Sequence, residues 1–401
     1  VETYNARSAS ISRVGPALEP HLGGLTEIRR ELHRHPELSF AEKRTTELIV
    51  EQLQGAGLAP QRLAGTGVVV DIGRGPMVLG LRADIDALPI GEETGLDYSS
   101  RTPGVTHACG HDIHTTVMLG VARVLAELDA TEPLPGTVRI IFQPAEEMMP
   151  GGALDVIAQG VLVGLPRILA LHCDPRIDVG LVGTRIGAIT SASDTIRVEL
   201  TGHGGHTSRP HLTEDLVFAL ATIAVNVPAV LSRRIDVRSA VSMVWGQIHA
   251  GSAPNAIPAQ GFMSGTLRCL DGEAWESAGE LLDRTVREIA APFGVEVKLE
   301  HIRGVPPVVN QEAEIGLLEA AARAELGAKA VVLTPQSMGG EDFAWMTQQV
   351  PGAMMRLGTR TPGGETFDLH RGDYAPDERS IECGIRVMAA AALQALLGNG
   401  H

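Results

Sequence analysis

Short apolar, β-branched runs alternate with amphipathic stretches up to about residue 188, and this alternation limits the fold more than any other feature. Val68-Val69-Val70, Val78-Leu79-Gly80-Leu81, Val138–Phe142 and Ile168–Leu171 read as strands. Residues 16–54 have helical spacing with a break at His35-Pro36, and Gly152–Ala158 reads as a short helix. Thr115–Leu128 carries Val117, Val121, Val124, Leu125 and Leu128 along one helical face. Strands separated by helices predict an α/β domain with a largely parallel central sheet.

The rhythm then changes. Thr195–Leu200 alternates as a half-buried strand does, and a helix (Glu214–Leu231) and strands (Ala240–Ile248, Gln260–Leu267) follow. A second helix (Glu273–Ala291) and strand Val295–Leu299 complete a βαββαβ order, which predicts a ferredoxin-like domain inserted into the first. Gly304-Val305-Pro306-Pro307 marks the return, and helices over Glu312–Leu326 and Arg379–Leu397 complete the first domain. The expected division is 1–188 with 303–401, and 189–302 inserted between them.

Composition removes several classes. A net charge of −15, with seven Phe, three Trp and three Tyr, lacks the basic surface and stacking platforms that nucleic acid requires. None of the lysines (Lys43, Lys298, Lys329) follows glycine, so there is no GxxxxGK phosphate loop. Gly202-His203-Gly204-Gly205-His206-Thr207 fails the dinucleotide pattern. Cys109, Cys173, Cys269 and Cys383 are too few for a disulfide framework, which points to a reducing, cytoplasmic setting. Val387–Leu393 stops at Gln394, short of the roughly 20 apolar residues of a membrane span, and Val1–Asn5 shows no signal pattern, so no membrane partner is expected.

Chemistry concentrates at four places. His107-Ala108-Cys109-Gly110-His111-Asp112-Ile113-His114 opens a helix, and a Cys and a His two apart can both face a metal from a loop. The ordinary alternative is a turn in which Asp112 caps the helix and the histidines are solvated. Gln143-Pro144-Ala145-Glu146-Glu147 follows a strand, and its adjacent carboxylates point different ways, so one can bind metal while the other handles protons. His172 closes a strand, and Arg82-Ala83-Asp84-Ile85-Asp86 ends another with carboxylates able to orient a ligand. Each has a structural explanation alone; their succession does not. His21, His33, His35, His249, His301 and His401 match no ligand spacing, His203 and His211 read as loop positions, His114 as a supporting residue, and Cys173 as core.

Together these segments resemble the aminoacylase, hippurate hydrolase and indole-acetyl-amino-acid hydrolase family of dinuclear metallopeptidases. The likeness runs from Arg29-Arg30-Glu31-Leu32-His33 through Gly202–His206, Asn255-Ala256-Ile257-Pro258, Gly265–Arg268 and Gly339–Phe343 to His370. It implies an amide hydrolase acting on N-acyl amino acids, with Cys109, His111, Glu147, His172 and His370 holding two divalent ions (Zn²⁺ or Mn²⁺, with Co²⁺ and Ni²⁺ as options). It further implies Glu146 as general base, Asp84 or Asp86 as the ligand-orienting acid, His206 as oxyanion donor from its own or a partner chain, and Asn255 and Arg268 as the carboxylate site. The first domain would hold the metals, and the insert would serve as lid and as the interface of a homodimer. Two other readings stay open on the residues: a thiol amidase using Cys109 with His111 or His114, and a non-catalytic binder of acyl-amino acids or peptides.

Overall fold

The computed structural model describes residues 13–398; Val1–Asn5 and His401, read above, lie outside them. The chain separates into two compact units: one formed by the chain up to Gly187, Val309–Pro335 and the chain from Asp342, the other by Ala188–Val308 with Gln336–Glu341.

The first unit is built on eight strands: β1 (Gln61–Arg62), β2 (Val68–Gly73), β3 (Met77–Asp84), β4 (Thr137–Gln143), β5 (Ile168–Asp178), β6 (Val182–Thr184), β7 (Val331–Leu333) and β8 (Gly352–Arg360). Their order across the sheet is β1-β2-β4-β3-β5-β8-β6-β7. The four central strands β4, β3, β5 and β8 are parallel, whereas β2 runs antiparallel to β4 and β6 antiparallel to β8. The sheet is therefore parallel at its centre and mixed at its flanks. Every residue of β3 after Met77 is buried, as expected of a parallel strand covered on both faces. β8 was not anticipated: Ala353-Met354-Met355-Arg356-Leu357 is fully buried and lacks the alternation that marks a half-exposed strand.

Helices His111–Thr131 and Arg379–Gly398 pack into the same core. A Cβ on Gly120 would lie 2.3 Å from Ile385 Cδ1, so glycine is what lets these two helices approach. The region expected as one broken helix over 16–54 divides into Val14–Leu18, Leu22–Arg34 and Lys43–Gly55.

The second unit has the anticipated βαββαβ order. Its antiparallel sheet runs Ser242–Ala250, Gln260–Cys269, Ala192–Thr201, Glu296–Val305. Ile196, Val198 and Leu200 point to a core shared with Leu220, Ile223 and Val227 of helix Leu216–Arg234 and Leu282 and Val286 of helix Gly272–Ala290. Both helices start at an aspartate cap: Asp215 accepts from Phe218 N (3.1 Å) and Asp271 from Ala274 N (2.8 Å). Buried Asp194 accepts from Trp275 Nε1, His301 Nε2 and Gly304 N, which gives His301 a structural role.

Two helices meet the length and hydropathy of a membrane span although their apolar runs are interrupted. Leu216–Arg234 and Arg379–Gly398 are both long and apolar enough by length and composition, because alanine and valine raise the hydropathy around single polar residues. The second is mostly buried in the core; the first is one-third buried.

Candidate metal centre

The parallel centre of the sheet sets out the site. β3 ends at Asp84 with Asp86 just beyond, β4 leads into the turn holding Glu146 and Glu147, and helix His111–Thr131 begins next to Cys109. His172 does not close its strand, because β5 continues to Asp178; it lies mid-strand opposite Arg356 of β8. At the helix start Gly110 has φ 85°, and a Cβ there would meet Cys173 Sγ at 2.9 Å. This left-handed step, open to glycine, turns Cys109 and His111 toward the same space.

Ligand-competent atoms of Cys109, His111 and His172 lie within 4.8 Å of one another, as do those of Cys109, Glu147 and His370, and those of His111, Glu146 and Glu147. The shared members join all five expected ligands and Glu146 into one cluster. His370 Nε2 is 3.3 Å from Glu147 Oε1, and His370 is half exposed whereas the others are largely buried.

Hydrogen bonds fix which ring nitrogens are available. His111 Nδ1 faces the carbonyl oxygen of Asp86 (2.9 Å) and its Oδ1 (3.2 Å), both acceptors, so Nδ1 carries a proton and Nε2 is the nitrogen turned to the cluster, where a metal ion would take the place of a second proton. His172 Nδ1 donates to Cys173 O (2.8 Å), which leaves Nε2 as an acceptor facing Cys109 Sγ at 3.4 Å. His114 differs: its Nε2 accepts from Cys173 N (2.8 Å) and its Nδ1 donates to Asp84 Oδ1 (2.6 Å), so no lone pair remains for a metal. His114 supports, as expected. Of the two acids, Asp86 touches the ring nitrogen of His111 that faces away from the cluster, while Asp84 engages His114 and Arg82.

The electrostatics favour a cation. Burial opposes charge on His111, yet Asp84, Asp86 and Glu147 raise its pKa to about 10. Burial, then Glu147 and Glu146, push the Cys109 thiol well above its ordinary range. Burial and the Arg356 guanidinium hold His172 well below the usual histidine range, which keeps it neutral. His111 Nε2 and Glu147 Oε1 are buried without a hydrogen bond. Two orphaned donor atoms, a thiol, imidazoles and carboxylates form a set that fits divalent transition ions.

A supporting layer was not legible in the sequence. Fully buried Arg82 donates to Asp84 (2.8 Å), Gln143 Oε1 (2.9 Å) and Asp342 (2.7 Å), and Asp342 Oδ2 accepts from Ala153 N (2.9 Å). Asp112 is not a helix cap: it takes Arg29 Nε at 2.9 Å and His33 Nδ1 at 2.8 Å, while the helix starts from Gly110 without a side-chain cap. His33, given no role above, is buried between Asp112 and Glu92, two acceptors that raise its pKa against its burial. The missed signal was the Arg-Arg-Glu-Leu-His run itself, whose Arg29 and His33 share one helix face four residues apart.

Within the second unit, His206 and Asn255 are neighbours: His206 pairs with Ala256 in a two-stranded ribbon, and Thr207 N donates to Asn255 O (3.2 Å). The backbone N–H of Ser208 donates to His206 Nδ1 (3.1 Å), so the proton of the neutral ring resides on the exposed Nε2. Arg268 lies on strand Gln260–Cys269, and its Nη1 donates to Met338 O. His203 and His211 are exposed, as expected of loop positions.

Residues 80–394 match Peptidase family M20/M25/M40. A Bacillus subtilis N-acetyl-L-cysteine deacetylase is 38% identical, over 89% of this chain and 84% of that protein. A Rhodococcus jostii protein carrying a glutamate–cysteine ligase name is 46% identical over 91% of this chain, which spans only 46% of it. The crystal structure of a Bacillus subtilis dinuclear metal-binding peptidase of the M20 family superposes with a TM-score of 0.81 at 33% identity, covering 94% of this chain and 98% of that one. The chain belongs to the M20/M25/M40 peptidase family and is a metal-dependent amidohydrolase of that class.

Asp86→Ala removes the carboxylate behind His111 while keeping the backbone carbonyl, and is expected to weaken metal binding roughly 10-fold. Competition with a chelator of known affinity measures this; an unchanged affinity would show that His111 needs no support from Asp86.

Proposed function

We propose that this chain hydrolyses the amide bond of N-acyl amino acids at a pair of divalent ions, Zn²⁺ or Mn²⁺, held by Cys109, His111, Glu147, His172 and His370. The observation carrying this reading is the cluster these five make with Glu146, in which the Nδ1 of His111 and of His172 is engaged by a backbone carbonyl and the Nε2 of each is turned to the other ligand atoms. One thiol among the donors tilts the choice toward Zn²⁺. N-Acetylcysteine is the first substrate to try, given the deacetylase relative. Four free cysteines suit a reducing, cytoplasmic setting.

When bound, divalent ions supply Lewis acidity that polarises an amide carbonyl and acidifies water. The chain's own groups then do the rest. Glu146 takes the proton from the attacking water and passes it to the departing amine nitrogen. His206 donates its Nε2–H to the oxyanion. Arg268, with its planar fork, and Asn255 receive the free carboxylate. Asp86 holds the His111 ring, and residues 189–302 act as a lid on the domain formed by 1–188 and 303–401. The thiol-amidase alternative is disfavoured because burial, and after it the neighbouring Glu147 and Glu146 carboxylates, push the Cys109 thiol well above its ordinary range, away from the nucleophilic thiolate.

The same reading makes the protein a homodimer through the inserted domain. Helix Leu216–Arg234 exposes Val217 (48%), Phe218 (60%) and Val225 (72%), an apolar face that a second copy would cover. Sedimentation at dimer mass, shifting to monomer mass in Phe218→Asp, is the expected result; a monomeric parent would remove the dimer from this reading.

Glu146→Gln should lower kcat by about 10²–10⁴-fold while metal content stays normal. Near-parental turnover in that variant would give the proton transfer to another group. Arg268→Ala should raise KM for N-acyl amino acids far more than for their neutral amides. Equal effects on both substrate types would take Arg268 out of the carboxylate site.

A further inference from the structure

Four described non-glycine residues have a left-handed backbone: Phe40 (φ 63°), Ala145 (φ 56°), Ala240 (φ 49°) and His370 (φ 62°). Ala145 precedes Glu146, and His370 is itself in the metal cluster, so two of these conformations serve the site directly. Phe40 is the one beside the site to which the chemistry above gives no part.

Its position is firmly fixed. Leu38 forms a parallel bridge with Ala87, and Ala87 N donates to Glu37 O (2.8 Å). Ala41 N donates to Leu38 O (2.9 Å), closing a turn whose third residue is Phe40. A positive φ at that place in a turn ordinarily selects glycine. Ser39 Oγ donates to Asp86 Oδ2 (2.7 Å), and the same oxygen accepts from Glu147 N (3.0 Å). One carboxylate oxygen thus ties the turn to the backbone of Glu147. Phe40 nonetheless leaves 48% of its surface exposed. Leu38 (38%), Met148 (53%) and Met149 (43%), next along the chain from the two groups sharing Asp86, are exposed as well. A strained backbone that turns an aromatic ring toward solvent gains nothing for the core. Strained residues of this kind cluster at active sites and ligand clamps.

We propose that Phe40 is a specificity residue: its ring is the apolar wall that receives the acyl group of the substrate, favouring aromatic or longer acyl chains over acetyl. This rests on the N-acyl amino acid reading. The carboxylate end of such a substrate calls for the cationic Arg268, and the acyl end for an apolar surface beside the carboxylate cluster. Phe40 and its neighbours provide that surface.

The test is Phe40→Gly, which removes the ring and suits the left-handed backbone, so the variant should fold with an unchanged or higher Tm. In the metal-loaded enzyme, kcat/KM for N-benzoyl amino acids should fall roughly 10- to 100-fold relative to the N-acetyl compounds, with metal content unchanged. A parallel fall for both substrates, or an unmoved ratio, would overturn the proposal. Benzoate binding by calorimetry gives a readout without turnover: about tenfold weaker binding to Phe40→Gly supports the assignment, and equal affinities refute it. If the parent hydrolyses no acyl-amino acid yet binds benzoate through Phe40, the amide-hydrolase reading fails while the apolar wall stands.

Discussion

Asp84, Asp86, Glu146 and Glu147 crowd around one buried imidazole, and the surrounding structure has to accommodate that concentration of like charge. Two unit charges about 4 Å apart repel by roughly 4 kcal/mol at an effective dielectric of 20, and burial adds a desolvation penalty for each. Arg82 offsets part of this from behind, bridging Asp84 and Asp342 from a fully buried position. His114 offsets another part through Asp84. Both lie on the Asp84 side of the pocket. Glu146 and Glu147 keep their negative potential directed at His111 Nε2, which is the field a cation completes.

The backbone is distorted where this field is assembled. Ala145 turns sharply so that Glu146 and Glu147 leave β4 in different directions, and its N–H is held by Glu42 Oε1 at 2.8 Å. His370, equally left-handed, is anchored by its N–H to Ala108 O at 2.9 Å, next to Cys109. Each such residue costs about 1–3 kcal/mol and stays only because its surroundings determine it. One anchor is the buried carboxylate of Glu42 and the other the carbonyl next to Cys109, so hydrogen bonds from the surrounding structure hold both strained residues in place.

How far the sequence reached follows the period of its patterns. Ala192–Thr201 alternates because one face of its sheet is open, and its register could be read directly. β8 is buried on both faces and follows a loop, so nothing in Ala353–Leu357 separated it from a helix segment. Cys109, His111, Glu146 and Glu147 stood out because thiol, imidazole and carboxylate recur at short spacing, whereas His172 and His370 joined the ligand set only through the family resemblance. Arg82 and Asp342 were not, because their contact joins positions 260 residues apart and only the folded sheet brings them together.

The histidines show the same limit more sharply. His111 and His114 lie on one helix three residues apart, equally buried, and the sequence gives both the same donor atoms. What separates them is the partner of the second nitrogen. A carbonyl and a carboxylate behind His111 make Nδ1 a donor and leave Nε2 bare, whereas the backbone N–H of Cys173 occupies the Nε2 lone pair of His114. That N–H comes from β5, adjacent to His172, so the residue that follows one bare histidine on its strand occupies the nitrogen of another. The partner of the second nitrogen thus separates the two imidazoles: spacing treats them alike, the family resemblance named His111 alone, and the hydrogen bonds supply the physical reason.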